Sequence, residues 1–422
     1  MLKTLMNNSK STEEDFLKEL LNLNTNNEKL NKLYKDFNTD LNQLYYQDEH
    51  IFHLCCKKDL FHSVVWLISN GINLEIENLE KETAIFYAIR TKGTVILQIL
   101  VENGANINHL NIFNRTALQE AVIRANNRIV NYLLQITRTV SNCDIYGNNL
   151  IFDAISNGNI DIIKRIASIK EININQINND GNTILHKDIV LKNNELALLL
   201  IDFGADPTIL DKEGKSFLFY CISEGIKNIS VLQKVVLLGY DINNKNGQNK
   251  TLLMESINYY LDTPKDNVEI KNSHLEMIKE LIHLGINVNA LDNNNETLLF
   301  ILVRHGNREL LHLFLETTKM NLNHQNNQHE TPLLIMALNG IKNADLIKLF
   351  LEKGANPDLK NQMGKSIIEI LVDIILYSEN KKPLEFEYEI FLNEDAEYAN
   401  VLENILRNYP VNINNSTFAH KT

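Results

Sequence analysis

The 422-residue sequence predicts an all-α solenoid of about ten helix-turn-helix units with short β-hairpin-like turns and helical caps. Three observations carry that expectation. An anchor position, most often Thr, recurs at His50, Thr83, Thr116, Asn149, Thr183, Ser216, Thr251, Thr297, Thr331 and Ser366, in steps of 33, 33, 33, 34, 33, 35, 46, 34 and 35 residues. Two residues after each anchor stands an apolar side chain, from Phe52 and Ile85 through to Leu333 and Ile368. Five residues before it, from Asn78 to Asn361, every internal junction holds Asn or Asp. A fixed period of this size marks stacked supersecondary units, none of which can bury its apolar face alone.

The elements of each unit follow in order. Short Asn and Asp side chains bond the backbone two residues on and tolerate left-handed conformations, so the junction residue opens a turn. Gly147, Gly181, Gly214 and Gly364 stand three places later and suit the same turn. The turn ends at the anchor, whose hydroxyl can cap the helix that follows. That helix is short and apolar on one face, as in Thr83-Ala84-Ile85-Phe86-Tyr87-Ala88. A second helix has leucine-rich spacing, as in Val95-Ile96-Leu97-Gln98-Ile99-Leu100-Val101. Gly71, Gly104, Gly204, Gly239, Gly285 and Gly354 close it at the left-handed cap position. An extended arm such as Ala105-Asn106-Ile107-Asn108 leads to the next junction.

This frame resembles the ankyrin-repeat family. Thr331-Pro332-Leu333-Leu334 with Gly354-Ala355-Asn356 is similar to the family's opening and closing motifs, as is Thr183-Ile184-Leu185-His186 with Gly204-Ala205-Asp206. The resemblance covers about 370 residues. It departs from the family pattern in having Pro after the anchor only at Pro332 and the family His only at His53 and His186. The resemblance implies a non-catalytic protein–protein interaction scaffold whose concave face and turn tips engage a partner protein.

The expected organisation is a disordered N-terminus (1–10), a helical cap (11–45), ankyrin-like repeats (46–365) with an insertion near 259–271, a C-terminal capping repeat (366–414) and a flexible tail (415–422). Ser11-Thr12-Glu13-Glu14 resembles a capping box opening the first cap helix. The capping repeat carries an acidic insertion, 377–397, with Glu385, Glu387, Glu389, Glu394, Asp395 and Glu397. Two readings of it stand: a solvated loop, or, by analogy with glutamate-rich secretion substrates, the signal of a bacterial effector delivered into host cytosol.

A net charge of -12 argues against nucleic acid as a partner, because phosphate binding needs a basic face. No apolar run approaches the roughly 20 residues of a membrane span. Residues 1–8 have no apolar core long enough for a secretory signal. Cys55, Cys56, Cys143 and Cys221 lack metal-ligand spacing and read as reduced thiols. The expectation is a cytoplasmic, monomeric protein with no cofactor, no metal and no catalytic residues.

Two motifs have a chemical and a packing reading. Gly214-Lys215-Ser216 and Gly364-Lys365-Ser366 imitate the end of a phosphate loop, but Ile209 and Leu359 stand where the loop needs Gly. His53 with Cys55 and Cys56 suggests a thiol nucleophile, yet Cys55 fills the small-residue slot of Ala88, Ala121 and Ala154.

The exposed positions of the frame give the candidate partner-binding residues: Leu79, Arg90, Ile112, Phe113, Arg115, Arg124, Ile145 and Tyr146. Apolar and aromatic side chains on consecutive tips flanked by arginines are the makings of an interface hot spot. A partner is expected to bring apolar groups to the tips and acidic groups to Arg90, Arg115 and Arg124; the competing expectation is that neighbouring tips pack on each other. Tyr259 and Tyr260 form a second candidate. The alternative function is an adaptor or enzyme-recruiting protein using the N-terminal helical segment or the insertions. Stacking of residues 11–45 on the first repeat would count against it.

Overall fold

The computed structural model describes residues 13–37, 39–91, 93–187, 190, 192–338 and 344–380. The expectations for residues 1–10, for 381–397 of the acidic insertion and for 398–422 lie outside the described residues. The chain divides into two units, Met1–Asp206 and Pro207–Thr422. Both are built from paired helices, with a single two-stranded hairpin, Tyr45–Tyr46 with Glu49–His50, among the described residues.

Each junction turn is organised by one side chain. Asn111 Oδ1 accepts from the backbone N–H of Phe113 and of Arg115, both at 3.0 Å. Asn78, Asp144, Asn178, Asp211, Asn246, Asp292, Asn326 and Asn361 accept from the same two positions, two and four residues on. The residue three places on is left-handed at every junction, whether Gly147, Gly181, Gly214 and Gly364 or Lys81, Asn114, Asn249, Asn295 and His329. The turn is therefore held by the Asn/Asp bonds, and glycine merely removes the strain of that conformation.

The anchors start their helices in two ways. Thr116, Thr251 and Thr331 cap through the hydroxyl, which accepts from Gln119, Met254 and Leu334. At Thr83, Ser216 and Thr297 the third residue bonds the anchor's own carbonyl instead, as in Phe86 N–H to Thr83 O at 3.0 Å, and the buried hydroxyl has no partner. The expected hydroxyl cap is thus replaced at these three by a tighter first turn, which uses the same N–H.

In the first unit the helices Ala84–Ala88, Ala117–Ile123 and Leu150–Asn157 follow their turns, and the partner helices Val95–Glu102, Asn127–Ile136 and Ile160–Ala167 return alongside. Ile85, Leu118, Ile151 and Leu185 are at most 3 % exposed, each burial being worth roughly 1.5–3 kcal/mol. A helix over residues 13–20 and the helix Asn27–Phe37 stack on Phe61–Ser69. Phe16 and Tyr34 lie 5.7 and 5.3 Å from the Trp66 ring, and Trp66 Nε1 donates to Asn31 Oδ1 at 2.8 Å.

In the second unit the insertion near 259–271 is helical on both sides of a short break at 263–267. Its residues lengthen Leu252–Asp262 and the 16-residue Val268–His283. The lengthened helix packs on the turn Gly225–Asn228, with Ser273 Oγ accepting from Ile226 N–H at 3.0 Å. At the far end, helix Ile367–Asn380 runs into the first residues of the acidic insertion. No helix among the described residues is long and apolar enough to cross a membrane.

Candidate protein-binding surface

In the first unit, successive turn tips are bonded backbone to backbone. Ile112 N–H donates to Glu80 O at 2.8 Å, Ile145 N–H to Phe113 O at 3.0 Å, and Asn179 N–H to Tyr146 O at 2.9 Å. Neighbouring tips therefore do touch, through the main chain and, at Asn179 Nδ2 to Ile145 O, through a polar side chain. Their side chains stay in solvent: Leu79 is 99 % exposed, Ile112 51 %, Phe113 39 %, Ile145 48 % and Tyr146 49 %. Leu110 and Ile177, six residues before their anchors, are exposed as well and were missed from the sequence. Their shared register, apolar at one arm position, was the signal that could have found them.

The arginines behave differently. Arg90 is bonded to Glu82 and lies 3.9 Å from Glu120, with its guanidinium over the Tyr87 ring. Arg115 donates to Asp144 Oδ2 through Nε at 3.3 Å and Nη2 at 2.9 Å, and sits 5.7 Å from the Phe113 ring centroid. Arg124 Nε donates to Glu120 Oε1 at 2.9 Å. Each of the three arginines already has a carboxylate partner within the chain. The reason is spatial: Glu82 flanks the turn before its helix and Arg90 lies just past that helix, while Glu120 stands on Ala117–Ile123 and Asp144 opens the next turn. Arg115 then serves to brace Phe113 on its tip.

Beneath these pairs lies Asp153, buried on helix Leu150–Asn157 with Gln119 Nε2 donating to Oδ2 at 3.4 Å. Burial pushes its carboxyl up to about 7, against the pull of Arg115.

The other candidates are structural. Burial pushes the Cys55 thiol up to about 12 and His53 down to about 4, so neither the thiolate nor an imidazolium forms readily near pH 7. His53 instead bonds Ile76 O at 2.9 Å and stacks on Tyr87. Tyr260 is buried and donates to Glu309 at 2.8 Å, and Tyr259 stacks on His274. Tyr259 thus joins the two lengthened helices and Tyr260 joins the first of them to helix Arg308–Thr317, where a surface role was expected.

A family model described as ankyrin repeats (3 copies) matches residues 52–149, 96–178, 150–246 and 268–361, more than half of the chain. The chain belongs to the ankyrin-repeat family. Among the proteins to which this ankyrin-repeat protein is similar, Rabankyrin-5 of Homo sapiens is 26 % identical over 185 residues, 42 % of this chain and 16 % of that protein. Putative ankyrin repeat protein L371 of Acanthamoeba polyphaga mimivirus is 26 % identical over 156 residues, 33 % of this chain and 20 % of that protein. The matches thus span no more than a fifth of either relative. Its ankyrin repeats make the chain a protein–protein interaction module.

Proposed function

We propose that this ankyrin-repeat protein is a non-catalytic scaffold whose partner protein docks on the row of turn tips from Leu79 to Tyr146. The observation that supports the reading is the run of five large apolar side chains on three successive tips, all at least 39 % exposed over main chain that is bonded from tip to tip. Burying such side chains on a pre-organised ledge gains hydrophobic free energy at little cost in ordering. Stacking of residues 13–37 on Phe61–Ser69 uses the inner face of that helix pair, which weighs against the recruiting alternative. Four free cysteines, three of them buried, fit work in a reducing compartment such as the cytosol.

The test is an affinity capture from cytosolic lysate with wild type and a Phe113→Ala/Tyr146→Ala variant of matched thermal unfolding. Loss of a captured protein in the variant supports the tips as the docking surface. Equal capture by both moves the site elsewhere on the chain.

A further inference from the structure

The tip row has ends as well as a middle. Four consecutive tips present Leu79-Glu80, Ile112-Phe113, Ile145-Tyr146 and Asn179-Asp180. The two central tips are apolar throughout, and each outer tip carries a carboxylate. Glu80 and Asp180 are both exposed, and neither side chain makes an ion pair among the described residues. The positive charges that flank the row are cancelled internally, Arg90 by Glu82 and Arg115 by Asp144. Lys81 follows Glu80 at the left-handed position of the turn, and the preceding arm adds the carboxylates Glu75 and Glu77 near His109.

Resting on the docking surface proposed above, we infer that the partner is an apolar segment flanked by basic residues: its apolar run seats on Ile112, Phe113, Ile145 and Tyr146, and its cations meet Glu80 and Asp180. The charge on this ledge thus selects the opposite sign from the one its arginines suggest. Stacked helices sit 8–10 Å apart, so three repeat steps separate Glu80 from Asp180 by roughly 25–30 Å. An extended chain at about 3.3 Å per residue spans that in about eight or nine residues. The preferred segment therefore places Lys or Arg on either side of an apolar stretch of that length. Long-range attraction between these charges raises the association rate and weakens with salt.

The experiment selects displayed random 16-residue peptides on the full chain and counter-selects on an Ile112→Ser/Tyr146→Ser variant. The expected peptides carry an aliphatic–aromatic run between Lys or Arg residues. Their affinity is expected to drop at least tenfold in Glu80→Lys/Asp180→Lys, to drop less in Glu80→Gln/Asp180→Asn, and to weaken with added salt. Peptides with acidic or uncharged flanks overturn the inference. So does unchanged affinity in Glu80→Lys/Asp180→Lys when Ile112→Ser/Tyr146→Ser abolishes binding, which leaves the docking surface itself standing. Peptides indifferent to both variants, or no tip-dependent peptide at all, overturn the docking surface together with the inference. Sedimentation of the free chain adds a control: a dimer lost in Ile112→Ser/Tyr146→Ser makes a second copy the occupant and overturns the basic partner.

Discussion

Arg304 grips both carboxylate oxygens of Glu296, each at 2.5 Å, across the eight residues from the end of a turn to the end of the following helix. The same interval joins Glu49 to Lys57 and Glu82 to Arg90, and with reversed sign Lys365 to Asp373. It is a staple between turn flank and helix end. Burial pushes the Glu296 carboxyl up, but hydrogen bonds from Arg304 and Asn326 outweigh it and hold the group below its usual range. Arg304→Ala leaves that buried carboxylate with Asn326 alone and is expected to lower stability by about 1–3 kcal/mol. The lowered carboxyl makes the contribution present at neutral pH and lost as the pH falls through its folded value. A urea midpoint unmoved at pH 7 would show that the staple contributes nothing.

Turn strain gives the second prediction. Gly147 has φ +76°, and a Cβ there would meet Asn179 Oδ1 at 2.7 Å and the Asn179 backbone nitrogen at 3.0 Å. Gly147→Ala is expected to destabilise the first unit by about 1–3 kcal/mol, through both the conformation and the crowded neighbouring tip. Lys81, left-handed at φ 54°, sits at the equivalent place, and Lys81→Gly is expected to stabilise by up to about 1 kcal/mol. Denaturant midpoints moving the opposite way in either variant would overturn the strain argument.

The third prediction concerns pH. Asp153 ionises near pH 7 in the folded chain and near pH 4 when unfolded, so between these values the folded state holds the extra proton. Stability is therefore lost as the pH rises from about 4 to about 7, by at most about 4 kcal/mol. Asp153→Asn keeps an acceptor for Gln119 and removes the charge. It is expected to be near-neutral at pH 4.5 and stabilising at pH 8, with the difference read from paired urea unfolding curves. An equal effect at both pH values would place the ionisation elsewhere.

Much of the fold was legible because its signals are local. Asn78 and its eight counterparts act on backbone groups two and four residues on, so a single chain position announces the turn. The exposed tips were legible for the same reason: once the register is set, Leu79, Phe113 and Tyr146 must fall where the turn projects. The insertion near 259–271 was placed between its unit's two helices, where the structure has a break at 263–267 flanked by added helix. What its helices pack against was not legible, because Ser273 meets Ile226 and Tyr260 reaches Glu309 across 47 and 49 residues.

The sequence by itself determined the repeat, its turns, its helices and the row of apolar tips, because each follows from interactions within a few residues of a fixed register. Only the tertiary structure decided which charges remain for a partner. Arg115 meets Asp144 from the next repeat, Asp153 is shut from water beneath Gln119, and Glu80 and Asp180 are left facing solvent. Charge pairing and desolvation depend on distance through space, and stacking brings together residues some 30 positions apart that the linear order keeps separate.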